Sequence, residues 1–503
     1  MQQLSGLDTS FLAMESPTTV GHVTGVLLLD TSTAPEPFTL ERFTRHILSR
    51  TADIQVFTHK LVEVPFGLDR PYWIPDADFD LDYHLRHVAV PGDGGRDDFS
   101  ALVSRIHARP LDRRRPLWET YIVDGVLGRY TGLITKLHHA AIDGLSGQEI
   151  LSALVDLTPD VPVPDTVPER VIVAATDTSQ VVRKAALSLL GSPVRMARAT
   201  GTLARAATVF APQLLGDDKP PADDDSSSGG SSIRDRLANL GAPTTPFNAT
   251  IGPHRRWAYV SVPLADVKAI KDATNTKVND VVLTLVSSVL RDWLADHGGI
   301  PERPLAAMVP LSVRTEEQAH ATGNFVSSTV CTLATDIENS AERLIEIHAA
   351  MNQSKEQQDA LPANILTDLT QVFPPAVAAL SARLVASTRL ADRVNLPFNL
   401  VVSNVPGPPI PLFLAGAKII AHYPVSAIVD GVGLNVTVSS IDGHLDFGFV
   451  SDRDLVPDLW DMADAVPGAL AELAASVEAM QTKPPAATKK AKTKKSKKKP
   501  AKA

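Results

Sequence analysis

Short β-like runs alternate with helical runs in two separate blocks of this chain. In the first block, "HVTGVLLLD" and "YTGLITKLHH" are rich in β-branched and aliphatic residues, whereas "LERFTRHILSR" and "SGQEILSALVDL" carry apolar residues at helical spacing. Alternation of this kind is typical of proteins in which helices pack on a sheet. The first block therefore predicts an α/β unit.

The second block repeats this pattern. "RRWAYVSVPL" predicts a strand, "NDVVLTLVSSVLRDWLADHGG" a long helix closed by Gly298, and "LPFNLVVSNVPGPP" a strand broken by turn residues. "GVGLNVTVSSIDGHLDFGFVSDRDLVPDLW" predicts two strands joined by an Asp-Gly hairpin turn and followed by a helix. Two α/β (α+β type) units are therefore expected.

The segment between the two blocks differs from both in composition. Its start, "TPDVPVPDTVPE", repeats proline, which disfavours helices and central strands. We therefore predict an N-terminal domain over 1–160, a connector over 161–245 that ends in an acidic Ser/Gly linker, and a C-terminal domain over 246–482. The lysine-rich tail over 483–503 has too few apolar groups to offset its ordering entropy and is expected to be disordered.

The connector contains an Ala- and Leu-rich stretch with scattered arginines. Arg195, Arg198 and Arg205 are spaced so that one side of a helix would carry them. Such a helix can lie on a membrane surface, or it can link the domains and pack on the protein with its arginines in water. Two glycines and a proline interrupt the pattern, which favours the linking helix.

Composition and charge narrow the class of protein. Cys331 is the single cysteine, so an intramolecular disulfide is excluded and a reducing, cytoplasmic compartment is expected. We expect neither a signal peptide nor a transmembrane helix, since the apolar runs are interrupted well before the roughly 20 residues that a bilayer requires. The net charge is −9, although the end of the tail, "KKAKTKKSKKKPAKA", holds nine lysines and no acid. No aromatic residue is interleaved with these lysines, which disfavours a nucleic-acid partner.

Two adjacent histidines stand in the stretch "KLHHAAIDGLSG", Lys136 to Gly147. The preceding run predicts a strand that ends at the histidines, the following run predicts a helix, and "AAID" is the turn between them. Asp143 lies near the predicted helix start, where a carboxylate can accept from free backbone N–H groups. Gly144 provides conformational freedom for the turn.

The spacing alone leaves two interpretations of the histidines open. A neutral imidazole can accept a proton from a hydroxyl that attacks a carbonyl, or the pair can be satisfied within the core. Asp143 can orient the ring or brace the loop, and bracing is favoured. No further Cys or His cluster stands at ligand spacing, so a metal site is disfavoured. A nucleophilic Ser146 is disfavoured too, because no GxSxG turn surrounds it.

"HHAAIDG" resembles the HHxxxDG signature of the bacterial wax ester synthase/diacylglycerol acyltransferase family, within the HxxxD superfamily of CoA-dependent acyltransferases. Further blocks are similar to that family's blocks in the same order, between Leu4 and about Ala475: "LSGLDTSFLAMESP", "FDLDYHLRHVAVPGDGG", "PLDRRRPLWE", "VNDVVL", "GNFVSS" and "VSNVPGP". The resemblance implies two chloramphenicol-acetyltransferase-like domains with an active-site tunnel between them.

The resemblance also implies roles for single residues. His139 would be the general base, His138 a supporting residue, and Asp143 and Gly144 would shape the loop. The acceptor hydroxyl would attack the acyl-CoA thioester directly, without a covalent acyl-enzyme. Asn279 is a candidate for stabilising the developing oxyanion, although capping of the following helix is an equally good interpretation.

Two other blocks favour structural roles. The side chains of Pro116, Leu117 and Trp118 do not titrate, so we expect them to pack, and "NVPGP" is expected to form a turn near the tunnel.

The expected activity is esterification of diacylglycerol to triacylglycerol, with wax ester synthesis from fatty alcohols as a second activity. Long-chain acyl-CoA would be a substrate rather than a resident cofactor, and no metal or other cofactor is implied. Peripheral association with a membrane or lipid droplet is expected. Two alternatives stay open: a condensation-type acyltransferase that uses a carrier-protein thioester, and a non-catalytic protein that binds a lipid or membrane surface.

Overall fold

The computed structural model describes residues 2–52, 54–64, 69–142, 147–166, 241–312, 326–359 and 396–482. Several sequence predictions fall outside these residues. They are the roles of Asp143 and Gly144, the arginine-bearing helix of the connector, the Ser/Gly linker and the lysine-rich tail.

The described part of the chain alternates strands with helices. The strands are β1 (Gln2–Gln3), β2 (His22–Asp30), β3 (His59–Val62), β4 (Tyr72–Pro75), β5 (Leu85–Ala89), β6 (Trp118–Val126), β7 (Tyr130–His138), β8 (Arg255–Pro263), β9 (Ala306–Ser312), β10 (Val326–Thr332), β11 (Leu400–Val405), β12 (Phe413–Leu414), β13 (Ala417–Val425), β14 (Leu434–Ile441) and β15 (His444–Asp452). The helices are α1 (Gly6–Ala13), α2 (Leu40–Thr51), α3 (Gln55–Thr58), α4 (Leu81–His84), α5 (Arg96–His107), α6 (Gly147–Leu154), α7 (Leu264–Thr274), α8 (Val278–Asp296), α9 (Ser340–Asp359) and α10 (Leu459–Thr482).

The strands form two large sheets and one small one. The sheet that carries the histidine motif has the order β12-β13-β2-β7-β6-β5, and the other six-stranded sheet has the order β10-β9-β11-β14-β15-β8. A three-stranded sheet has the order β1-β4-β3. Pairing is antiparallel except between β5 and β6, β11 and β14, and β9 and β11. The mixed α/β architecture predicted from the sequence is confirmed.

One strand from the C-terminal part of the sequence lies in the sheet of the N-terminal part. β13 pairs antiparallel with β2, so that Val425 lies opposite Thr24. At its other edge, the backbone N–H of His422 donates to the Asp446 carboxylate of β15 over 2.8 Å. A Cβ atom at Gly448 would lie 1.8 Å from the carbonyl oxygen of Pro424, so only glycine permits this close approach of β15. The two large sheets therefore meet along β13.

Apolar side chains cover both faces of the sheet that carries the motif. Leu27 and Leu29 of β2 pack on one face with Leu133 of β7, whereas Val26 and Leu28 pack on the opposite face. This division follows from the alternation of side chains along a strand. Among the helices of the described residues, none combines the length and the hydropathy that crossing a bilayer requires.

The strands and helices predicted from periodicity within the described residues are confirmed. β7 ends at His138, as the motif predicted. α8 ends at Asp296, just before Gly298, which has a φ of +98°. Asp442 and Gly443 join β14 to β15 with φ values of 43° and 86°, the positive region that a two-residue hairpin turn requires.

Candidate active site

His139 begins a short 3-10 helix, His139–Ala141, directly after β7. Its backbone N–H donates to the carbonyl oxygen of Gly21 over 3.0 Å, which ties the start of the turn to the residue before β2. Both histidines of the motif thus lie at the carboxyl end of a strand, as predicted.

The imidazole of His139 lies in a mainly apolar surrounding. The ring of Phe11 stacks on it with centroids 4.7 Å apart and planes 15° apart. Burial, with a smaller contribution from His138, lowers the pKa of His139 to about 4. The residue as a whole is nevertheless partly exposed. At neutral pH His139 is therefore a neutral, accessible imidazole that can accept a proton.

The neighbouring His138 is held on both ring nitrogens. Nδ1 accepts from the backbone N–H of Ala140 over 3.0 Å, and Nε2 lies 3.1 Å from Oε1 of Glu15. Because Nδ1 is an acceptor, the proton of the ring is on Nε2 and points at the carboxylate. His138 is buried, with 1% of its surface exposed. Both ring nitrogens thus contact other groups of the protein, which fits a supporting role.

Glu15 is the centre of this arrangement. Its Oε1 also accepts from the backbone N–H of Gly21 over 2.9 Å, and its Oε2 accepts from two nitrogens of Arg113 over 3.0 and 2.7 Å. Burial acts to raise the pKa of Glu15, but the contacts with His138, Gly21 and Arg113 outweigh it and lower the pKa to about 2. Glu15 therefore remains ionised and braces the motif.

Gly21 leaves the space that His138 occupies. A Cβ atom at this position would lie 2.6 Å from Nε2 of His138 and 3.1 Å from the carbonyl oxygen of Phe11. Sequence reasoning did not single out Gly21, Glu15 or Arg113. Glu15 and Arg113 stand in blocks that resemble the family, "LSGLDTSFLAMESP" and "PLDRRRPLWE", and these blocks were the available signal.

The other residues singled out from the sequence are distributed as follows. Asp143, Gly144 and Ser146 lie outside the described residues. Asn279 lies in the first turn of α8 and is partly exposed. The capping interpretation of Asn279 is wrong, because the carboxylate that accepts from the backbone N–H of Lys277, over 2.9 Å, belongs to Asp280. A catalytic contact of Asn279 stays a prediction.

The prediction that Leu117 and Trp118 pack is confirmed. Both are buried, with 0% and 1% of their surfaces exposed. The indole ring of Trp118 stacks on His84 with centroids 4.5 Å apart, and its Nε1 donates to the carbonyl oxygen of Phe57 over 3.2 Å. Within the described residues, His, Cys, Asp and Glu side chains form no group of three or more that could hold a metal ion.

Comparison with known proteins gives matches along nearly the whole chain. The sequence profile described as the wax ester synthase/diacylglycerol acyltransferase catalytic domain matches residues 4–282, and the WS/DGAT C-terminal domain matches residues 322–474. A Mycobacterium tuberculosis protein named as a diacylglycerol O-acyltransferase is 35% identical over 474 residues, which cover 94% of this chain and 90% of that protein. A Mycobacterium bovis protein of the same description is 34% identical over 479 residues, 93% and 98% of the two chains.

Solved structures agree with these sequence matches. The wax ester synthase/diacylglycerol acyltransferase from Marinobacter aquaeolei VT8 has a TM-score of 0.66 and 26% identity, and the match covers 95% of this chain and 100% of that one. The first condensation domain of the calcium-dependent antibiotic synthetase has a TM-score of 0.51 at 17% identity, over 94% and 96% of the chains, and shows a shared fold. The two family profiles and the relatives above 30% identity lead to one conclusion: this chain belongs to the wax ester synthase/diacylglycerol acyltransferase family.

Proposed function

We propose that the protein transfers the acyl group of a long-chain acyl-CoA to the free hydroxyl of diacylglycerol, and that fatty alcohols are a second class of acceptor. The observation that carries this proposal is the neutral, accessible imidazole of His139 at the end of β7. The names of the mycobacterial relatives and of the Marinobacter protein support the choice of substrates.

In this proposal His139 is the general base. It takes the proton of the acceptor hydroxyl as the hydroxyl oxygen attacks the thioester carbonyl. The carbon–sulfur bond then breaks, and CoA leaves as a thiolate that recovers the proton from His139. A positioned base of this kind contributes about 10²- to 10⁴-fold in rate. Asp143 and Gly144 are proposed to shape the loop that follows.

Glu15 and His138 contribute by keeping the turn in place. The hydrogen bond from the His139 N–H to the Gly21 carbonyl oxygen fixes the position of the His139 backbone. The Glu15 carboxylate links His138 to Gly21 from the other side. A base held on a strand end and a braced turn needs little reorganisation when the hydroxyl arrives. This pre-organisation supports His139 rather than His138 as the residue that moves the proton.

The direct test compares wild type with His139→Ala and with a control at an exposed histidine, His254→Ala. Each purified protein is given long-chain acyl-CoA with diacylglycerol or a fatty alcohol. Ester product is separated by thin-layer chromatography and released CoA is titrated with a thiol reagent. Wild type and His254→Ala should form ester and CoA in equal amounts, and His139→Ala should lose at least about a hundredfold in rate. Equal rates in all three proteins would refute the role of His139.

The same assay distinguishes the proposed function from the two alternatives, a carrier-dependent acyltransferase and a non-catalytic lipid-binding protein. The fold shared with a condensation domain makes a carrier-bound donor the natural competitor to acyl-CoA. Supplying the acyl group on a phosphopantetheinyl carrier protein in place of CoA decides between the donors. A non-catalytic lipid-binding protein would retain lipid without ester formation, and His139→Ala would not alter it.

We also propose that the protein works at a membrane or lipid-droplet surface, because both of its proposed substrates carry long acyl chains that partition into lipid. Flotation with vesicles that contain diacylglycerol and anionic lipid measures this directly. The protein should float with the vesicles at low salt, and recovery in the unbound fraction under all conditions would contradict the association.

A further inference from the structure

A partly exposed imidazole outside the motif lies at the place where the two large sheets meet. His422 stands on β13, and its Nδ1 lies 3.0 Å from the hydroxyl oxygen of Ser439 on β14. Its Nε2 points toward β2, where a Cβ atom added to Gly25 would lie 3.2 Å from it. The ring is therefore held from the side of one sheet, and its other nitrogen is directed at the other sheet.

Partly exposed residues form a row on one face of β2, between His422 and the motif. His422 is in register with Leu27, so it shares a face with the alternate positions Gly25 and Val23. Gly25, Val23 and His422 are all partly exposed, although they lie inside a sheet covered on both faces. Thr135, the partner of Gly25 on β7, is partly exposed as well. Accessible space thus extends along this interior face.

The row of partly exposed residues ends at Val23, two positions from the contact with the proposed base. Gly21 is itself buried, and its carbonyl oxygen accepts from the N–H of His139. Gly25 lies four positions after Gly21, a distance of roughly 13 Å along an extended chain.

The chemistry of the His422 ring suits a neutral donor. The Ser439 hydroxyl can donate to Nδ1, which leaves the ring proton on Nε2. Burial lowers the pKa of His422 to about 4, so the ring carries no charge at neutral pH. A neutral N–H donor in a mostly apolar passage matches an ester or amide carbonyl oxygen better than it matches an anion.

We propose that Nε2 of His422 binds a carbonyl oxygen of a substrate in the passage that leads to His139, either an ester carbonyl of diacylglycerol or an amide carbonyl of the CoA pantetheine arm. His422 is a binding residue in this proposal and transfers no proton. The proposal rests on the proposed function for the identity of the substrates.

Two substitutions of the same residue test which ring nitrogen matters. His422→Gln can place an amide N–H near the position of Nε2, whereas His422→Asn can reach only the position of Nδ1 and its partner Ser439. Loss of one hydrogen bond to a neutral group should raise KM about three- to tenfold in His422→Asn, with kcat little changed, and His422→Gln should restore much of the loss. The reverse order, with Asn near wild type and Gln impaired, would show a structural role through Ser439 and overturn the proposal.

The substrate whose KM rises identifies the source of the carbonyl. A rise confined to acyl-CoA assigns the pantetheine arm, and a rise confined to diacylglycerol assigns the glyceryl ester; either supports the proposal. Gly25→Ala is a second variant, which leaves the ring in place but puts a methyl group against Nε2, and it should raise the same KM. Unchanged KM values for both substrates in His422→Asn and Gly25→Ala would overturn the proposal, with His254→Asn as the matched control for a histidine substitution.

Direct binding separates this inference from the proposed function. Acyl-CoA and diacylglycerol are titrated by calorimetry into His139→Ala with and without His422→Asn, so no turnover is required. Weaker binding of one substrate in the double variant supports His422 even if the wild type were to catalyse another reaction. Equal binding of both substrates by the two proteins would refute the role of His422 while leaving the acyltransferase assay unaffected.

Discussion

Oε1 of Glu15 lies 3.1 Å from Nε2 of His138, a residue 123 positions later in the chain. The same carboxylate accepts from the backbone N–H of Gly21 and from Arg113. A single acidic side chain thus joins the N-terminal segment, the start of β2 and the histidine motif. The loop around His139 is held by this long-range contact as well as by its own turn.

Replacing Glu15 by Gln should lower kcat by between about tenfold and a hundredfold, because a hydrogen bond to a charged group is worth about 1.5–3 kcal/mol and its loss lets the His138 ring turn. The measurements are kcat and KM for both substrates, and the unfolding temperature of each variant. Glu63→Gln is the matched control, since Glu63 also pairs with Arg113, over 3.2 Å, and is more exposed. Similar kcat values for the two variants would rule out the role of Glu15 in holding His138.

The pH dependence of kcat/KM should show an unusually low acid limb. His139 must be neutral to accept a proton, and its pKa of about 4 means that lowering the pH removes activity only near that value. At pH 5.5 an ordinary histidine of pKa ~6.5 would be about nine-tenths protonated, whereas His139 stays almost wholly neutral. Activity that halves near pH 6.5, with the fold intact by circular dichroism, would contradict this environment for the base.

Phe11→Ala should move that acid limb to higher pH. The Phe11 ring stacks on His139 and keeps water from one side of it. Its removal relieves part of the desolvation that lowers the pKa of His139, so the midpoint should rise by about one pH unit. Phe79→Ala is the control, because Phe79 stacks on His84 instead, with centroids 5.0 Å apart. Equal pH profiles for the two variants would show that Phe11 does not set the pKa.

Gly21→Ala should reduce both activity and stability. The added methyl group would lie 2.6 Å from Nε2 of His138, so the ring or the strand must shift. Such overpacking costs about 1–3 kcal/mol, and displacement of His138 should lower kcat at least about tenfold. Gly468→Ala in α10 is the control, since its Cβ would meet nothing within 4 Å, and it should be neutral or slightly stabilising. Denaturant unfolding and kcat measure both effects.

Local patterns in the sequence were sufficient for most of the secondary structure and for the position of the histidines. The end of β7 at His138, the hairpin turn at Asp442 and Gly443, and the burial of Trp118 are confirmed. These features depend on side-chain periodicity and on turn chemistry, which neighbouring residues determine. Asn279 shows where the same reasoning fails, because Asp280 was the better acceptor at the helix start.

The sequence by itself determined the two α/β blocks, the strand–turn–helix around the motif and the resemblance to the family. Only the tertiary structure decided that Glu15 holds His138, that β13 crosses into the sheet of the motif, and that His422 faces Gly25. The physical reason is the range of the interactions. Periodicity and turn preferences act over a few residues, whereas a buried carboxylate or a sheet edge takes its partner from wherever the folded chain brings a complementary group.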